Sequence, residues 1–320
     1  MYTRSAPKQP LGDIFLSKKG STTFRLFAQI CLLILPALLM QIVFHYIPLG
    51  YMLRLSFFDW DLISPVQSFA GLSNYSKLLT SSEFRNSLVR TVQYTLIYVS
   101  GTMVLSLGLA VTLNRLRRAR GFFETLFFIP SVTSVAVIAV IWSYLYNPYI
   151  GPINRCLLSI GVPGPYLPKW LNSPSTALLS LAVIDIWRSL GLMTLLFLAG
   201  LRNIPVDLYE AAEIDGATAS RIFWNITLPL LSPVLVFVFF TLFINSFKVF
   251  DLVAILTQGR PLGATEVVLY LIYRYSFRFF DAGLASAASC VVFLLLLLLS
   301  GLQLTVSRRW VYYAGSKEGV

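Results

Sequence analysis

Six apolar runs dominate the sequence, at about 27–47, 91–113, 122–145, 177–201, 230–256 and 283–304. Each is long enough to cross a hydrocarbon layer, which takes about 20 helical residues. A backbone in lipid must satisfy its own hydrogen bonds, so isolated runs of this length fold as helices. The expectation is an all-α integral membrane protein built as a six-helix transmembrane bundle. Composition agrees: 57% of residues are hydrophobic and 12% charged, against about 25% charged in soluble domains. The first run follows Lys18, Lys19 and Arg25, as a signal peptide would. It is too long for a signal-peptide core and no small-x-small site follows, so it reads as a retained helix.

Basic residues orient the bundle. Arg4, Lys8, Lys18, Lys19, Arg25, Arg115, Arg117, Arg118, Arg120, Arg202, Arg221, Arg308, Arg309 and Lys317 fall on one side. Arg54, Lys77, Arg85, Arg155, Lys169, Arg260, Arg274 and Arg278 form the smaller set on the other. The richer side faces the cytoplasm. Both termini are then cytoplasmic, with tails at 1–26 and 305–320 flanking a membrane domain at 27–304. The net charge of +11 reads as orientation signal and lipid-headgroup contact, not as a nucleic-acid surface. Thr102, Ser106 and Ala110 form one small-residue stripe, and Ala282, Ser286 and Cys290 form another beside Gly283 and Ala287. Such stripes let spans approach closely. The three cysteines and the single His45 make neither a disulfide framework nor a metal set.

The most polar stretch between spans is YEAAEIDGATASRIFWNITLP, Tyr209 to Pro229. Pro205 is suited to start a helix, with Asp207 and Glu210 in a first turn where the helix dipole favours acids. Asp215-Gly216 is a turn dipeptide. A second short helix then carries Ile222, Phe223 and Ile226 on its apolar face, ending near Pro229 and Pro233. The expected product is a helix–turn–helix on the cytoplasmic surface, within a loop at 202–229. On shape alone, an ordinary amphipathic interfacial loop fits equally well.

Residue identities go further. Glu210-Ala211-Ala212, then Gly216, then Ile226-x-Leu228-Pro229 resembles the signature EAA loop of ABC importer permeases. SFFDWD and FAGLSNYSKLL (56–61, 69–79), FLAGLRNIPVDLYEAAEIDGA (197–217), ITLPLLSP (226–233) and FKVFDLVAILTQGRPLGAT (247–265) resemble the carbohydrate-uptake branch of that family, with Arg260 where a second glycine is usual. The resemblance implies that Glu210, Ala211, Ala212, Asp215 and Gly216 couple the bundle to a cytoplasmic ATPase. It also implies a pore-forming subunit of a binding-protein-dependent importer for a saccharide, oligomeric or acidic, or for a phosphorylated polyol such as glycerol phosphate. The implied partners are a second, paralogous permease chain, two ATPase subunits and an extracytoplasmic solute-binding protein, all at a bacterial cytoplasmic (inner) membrane. The sequence carries no GxxxxGK[ST] phosphate loop and no nucleophile–base set. No enzymatic activity and no cofactor is therefore expected in this chain, and ATP and Mg belong to the partner subunits.

Charges inside the apolar runs form the second candidate site. Asp185 and Arg188 stand three apart in span four, and Lys248 and Asp251 three apart in span five. That spacing places each pair on one helical face. A charge at the bilayer centre costs about 2.5–3.5 kcal/mol on insertion scales, so these residues face the bundle or a wet cavity. They either fix helix packing or line a translocation path. Trp187, Asn245 and Phe247 lie near them in sequence and complete the candidate pathway. An intramembrane ionic set would also suit a self-powered secondary carrier, against which the cytoplasmic loop and the lack of an internal repeat argue.

Overall fold

The computed structural model describes residues 29–116 and 120–310. The expected N-terminal tail, Arg117, Arg118 and Lys317 lie outside the described residues. The chain divides into two units, 1–55 and 56–320. In the first, α1 (Gln29–Leu55) is an apolar helix of spanning length. It contains a π turn over Ile42–Tyr46, closed by the Ile47 N–H on the Ile42 carbonyl. Pro48 follows directly, and its missing N–H and bulky ring are absorbed by that wider turn.

The second unit is arranged around α3 (Ser82–Arg115) and α7 (Ala177–Arg202). The α3 helix begins nine residues before the expected run because Ser81 caps it, accepting from the Phe84 N–H at 3.3 Å. Its Thr102, Ser106 and Ala110 are fully buried, as the small-residue stripe requires. Thr194 of α7 reaches the Ser106 carbonyl at 3.5 Å. Tyr94, Tyr98, Leu181, Ile184, Phe197 and Leu242 belong to the main apolar core. The second stripe lies in α12 (Ala282–Trp310). Its Gly283 is so close to the Phe58 carbonyl that a side chain there would overlap it.

Two expected spans are not straight. The run at 122–145 is α4 (Arg120–Val132) and α5 (Val135–Leu145), bent by 100°. Pro130 lies inside α4 and offers no N–H to its ladder. Ser131 and Thr133 turn their hydroxyls back onto the Phe128 and Ile129 carbonyls at 2.7 and 2.8 Å. Before the bend, α4 packs against α7 so closely that Gly191 leaves no room for a Cβ against the Phe127 backbone. The run at 230–256 is likewise divided. A helix over Ala219–Leu230, here α9, meets α10 (Ser232–Phe247) at 68°. A π turn at Phe223–Thr227 precedes Pro229, as the turn in α1 precedes Pro48. α10 stops at Phe247, and the chain then resumes as a π turn over Val253–Thr257. Lys248 and Asp251 are thus not on one continuous helical face. No ion pair joins them.

Elements between the spans complete the frame. A two-stranded hairpin, β1 (Phe58–Asp59) and β2 (Ser68–Phe69), pairs antiparallel. The short helices α2 (Ser73–Thr80) and α6 (Pro152–Ser159) follow spans one and three. α11 (Val268–Phe277) separates the last two spans. Among the described residues, four single helices have spanning length and composition, or six segments if each bent pair counts as one.

Candidate functional site

The polar stretch folds as expected in outline. α8 (Val206–Ile214) is followed by α9, with Gly216 between them at φ +75°. Pro205 is the N-cap and not the first helical residue, so only Asp207 lies in the first turn and Glu210 sits one turn on. The turn closes through the Gly216 and Ala217 N–H groups on the Glu213 and Ala212 carbonyls, at 3.0 and 2.9 Å. No atom lies within 4 Å of where a Gly216 Cβ would stand. Glycine is therefore required by the backbone angle and not by crowding.

Thr218, a residue the sequence reading passed over, caps α9 by accepting from the Arg221 N–H at 3.4 Å. Thr218→Ala is expected to cost about 1 kcal/mol of local helix stability. Faster amide exchange around residues 221–223, with the rest of the bundle unchanged, checks it.

Ala212 is buried, while Glu210, Ala211, Asp215 and Gly216 are exposed. Ile214 is 87% exposed, an apolar side chain displayed between two carboxylates. Tyr209 and Thr227 share a hydrogen bond at 3.2 Å that ties α8 to α9. Behind them lies a cavity of about 420 Å³, walled by Asn114 and Arg115 at the end of α3 and by Tyr209, Glu213 and Phe223 of the loop. The loop therefore sits at the C-terminal end of α3.

The intramembrane charges converge elsewhere. Asp185, Arg188, Asn245, Lys248 and Asp251 line one cavity of about 230 Å³ with Tyr98 and Val135. Arg188 Nε donates to Asp185 Oδ1 at 2.9 Å. The Tyr94 hydroxyl donates to Asp185 Oδ2. Both carboxylate oxygens are thus engaged, which makes burial of this carboxylate tolerable. Tyr98 stacks on Tyr94 with centroids 5.8 Å apart and shares a hydrogen bond with Ser189 at 2.8 Å.

Asn245, a candidate pathway residue, is exposed and lines the cavity. Two other candidates stand away from it. Phe247 is buried against Phe243, centroids 5.2 Å apart. Trp187 stands edge-on to Trp142 at 5.6 Å. Neither ring lines the cavity. Tyr94 and Tyr98 were missed, although two hydroxyls one turn apart in an apolar run must find polar partners.

A profile of binding-protein-dependent transport system inner membrane components matches residues 102–312. The trehalose/maltose transport system permease protein MalF of Thermococcus litoralis is 37% identical over 277 residues, covering 87% of this chain and 92% of that protein. The sn-glycerol-3-phosphate transport system permease protein UgpA of Agrobacterium fabrum is 31% identical, covering 88% and 95%. A chain of a bacterial ABC transporter involved in the import of the acidic polysaccharide alginate shares the fold. It has a TM-score of 0.77 at 22% identity and covers 92% of this chain and 98% of that one.

Proposed function

The chain belongs to the family of binding-protein-dependent transport system inner membrane components, and we propose that it is a pore-forming permease subunit of a saccharide importer. Its place is the cytoplasmic membrane, with both termini inside. A second permease chain completes the pore, two ATPase subunits hydrolyse ATP with Mg, and an extracytoplasmic solute-binding protein delivers the cargo. α8, Gly216 and the start of α9 dock on an ATPase subunit. The cavity at Asp185 and Arg188 lies on the cargo path.

The observation that carries this reading is the loop itself. It offers Ala211 and Ile214 between Glu210, Glu213 and Asp215 on an exposed surface. Its turn is fixed by backbone geometry, and α9 leads through a 68° bend into α10, whose far end borders the charged cavity. A force on the loop therefore reaches the cavity wall through two helices joined at that bend. The saccharide cargo rests on the likeness to the trehalose/maltose permease. The cavity adds a chemical argument, since two cations and two carboxylates leave it balanced. Balanced charge with Tyr98 and Asn245 suits a hydroxyl-rich cargo. A phosphorylated polyol is the second reading, favoured by the likeness to the glycerol-phosphate permease.

The test is purification of the tagged chain with its neighbouring subunits, followed by reconstitution with the binding protein. ATP hydrolysis should rise when that protein carries a particular saccharide. Uptake that proceeds without any ATPase subunit would sink the proposal and restore the secondary carrier.

A further inference from the structure

A third cavity, of about 360 Å³, lies at the opposite end of α3 from the helical loop. α3 has 34 residues, so its ends stand about 50 Å apart at 1.5 Å per residue. The cavity is lined by Gln258, Gly259, Arg260, Gly263, Glu266, Tyr270, Arg274 and Arg278. Its base is held by one arginine shared between two carboxylates. Arg274 bonds Glu266 and reaches Glu83, at the start of α3, at 3.1 Å. Tyr275 donates to the same Glu83 at 3.2 Å. Burial, with Glu83 beside it, pushes the Tyr275 hydroxyl up to about 12.

The loop over this base is shaped by backbone. Gly259 and Gly263 have φ +79° and +70°, and a Cβ on Gly259 would press within 3.2 Å of the Tyr270 ring. Thr265 Oγ1 donates to the Arg260 carbonyl at 2.8 Å, which holds the loop closed. Beyond it Leu262 is 93% exposed.

Arg260 and Arg278 are different from Arg274. Both are exposed, both line the cavity, and among the described residues neither makes an ion pair. Two unmatched guanidinium groups above a fixed base, beside a protruding leucine, suit a protein carboxylate that arrives from outside. A guanidinium holds a carboxylate through two parallel hydrogen bonds. The neighbouring leucine adds an apolar contact that a small anion would not use.

We infer that this cavity receives an acidic side chain of the extracytoplasmic solute-binding protein, with Arg260 and Arg278 as the gripping pair. The inference rests on the importer reading, which places this end of α3 outside the membrane. Charge pairs at an interface rim act mainly on association rate and are weakened by salt. The grip therefore governs how much binding protein is needed, more than how fast the saturated transporter turns over.

The experiment uses the whole complex in lipid nanodiscs, with purified binding protein loaded with cargo. ATP hydrolysis is titrated against binding-protein concentration for the wild type and for Arg260→Gln/Arg278→Gln, at low and high ionic strength. The half-saturating concentration should rise about threefold to tenfold in the double variant at low salt. The two curves should converge at high salt, because salt already removes the contact in the wild type. Equal half-saturation at low salt, or a shift of the same size at both salts, overturns the inference while leaving the importer reading intact. A wild-type complex that never responds to binding protein overturns the importer reading, and this inference with it. Stimulation by free anionic cargo alone that is lost in the double variant would assign the cavity to cargo and count against a protein carboxylate.

Discussion

Replacing Gly216 by valine is expected to cut ATP-driven uptake by more than about tenfold while leaving membrane insertion and helix content intact. Gly216 sits at φ +75° between α8 and α9. A left-handed backbone costs an ordinary residue about 1–2 kcal/mol, and a β-branched one more. Each 1.4 kcal/mol is about a factor of ten in the population of the correct turn. Because no atom lies within 4 Å of the missing Cβ, valine meets no clash. The whole effect runs through the turn angle and hence through the direction in which α8 offers Ala211 and Ile214. That makes the prediction selective. Gly216→Asn tolerates the left-handed region and should keep most of the uptake. If asparagine falls as far as valine, the angle is not the reason. If valine transports like the wild type in a fully assembled complex, the loop is not the coupling element.

The loop was legible because its chemistry is local. A proline, a short acidic helix, Asp215-Gly216 and a second helix are all read from neighbours in sequence. The length of α7 was legible for a similar reason, since Ala177–Arg202 matches its apolar run almost to the residue. The breaks at Thr133–Ser134 and at Leu231 were not. Pro130 and Pro229 announce that a ladder is interrupted, but the angle depends on what the helix packs against. Gly191 of α7 admits the Phe127 backbone, a contact between residues 64 positions apart. The end of α10 at Phe247 was hidden too, since FKVFDLVAI reads as a continuation of span five. Its termination separates Lys248 from Asp251 along the helix and brings both to the cavity that holds Asp185 and Arg188. The residues were recognisable as misplaced charges. Their convergence belongs to the tertiary structure, as does the turning of Trp187 and Phe247 toward other aromatic rings.

The double change Asp185→Asn/Arg188→Gln is expected to keep the bundle folded and to abolish stimulation of ATP hydrolysis by cargo. In the native pair, Asp185 is buried and accepts from both Arg188 and Tyr94. Removing one partner leaves a buried charge without its counter-ion, which costs about 3–5 kcal/mol. Arg188→Ala alone, which strands the buried Asp185, should therefore lower the yield of assembled complex, and such a loss says nothing about cargo. The double change removes both charges and leaves an amide oxygen to accept from Tyr94, so neither burial penalty remains. It also empties the cavity of one cation whose remaining guanidinium donors are otherwise available to a hydroxyl-rich or anionic cargo. Lys248 and Asp251 stay in place, so the cavity keeps its charge balance and loses only the donors on the α7 wall. Assembly, measured as ATPase content per permease, and cargo stimulation, measured with loaded binding protein, then report separate things. Normal assembly with no stimulation places Arg188 on the cargo path. Normal assembly with full stimulation at the wild-type cargo concentration makes the pair a packing device that joins α7 to Tyr94 of α3, and moves the search for cargo contacts to Asn245 and Lys248 across the cavity.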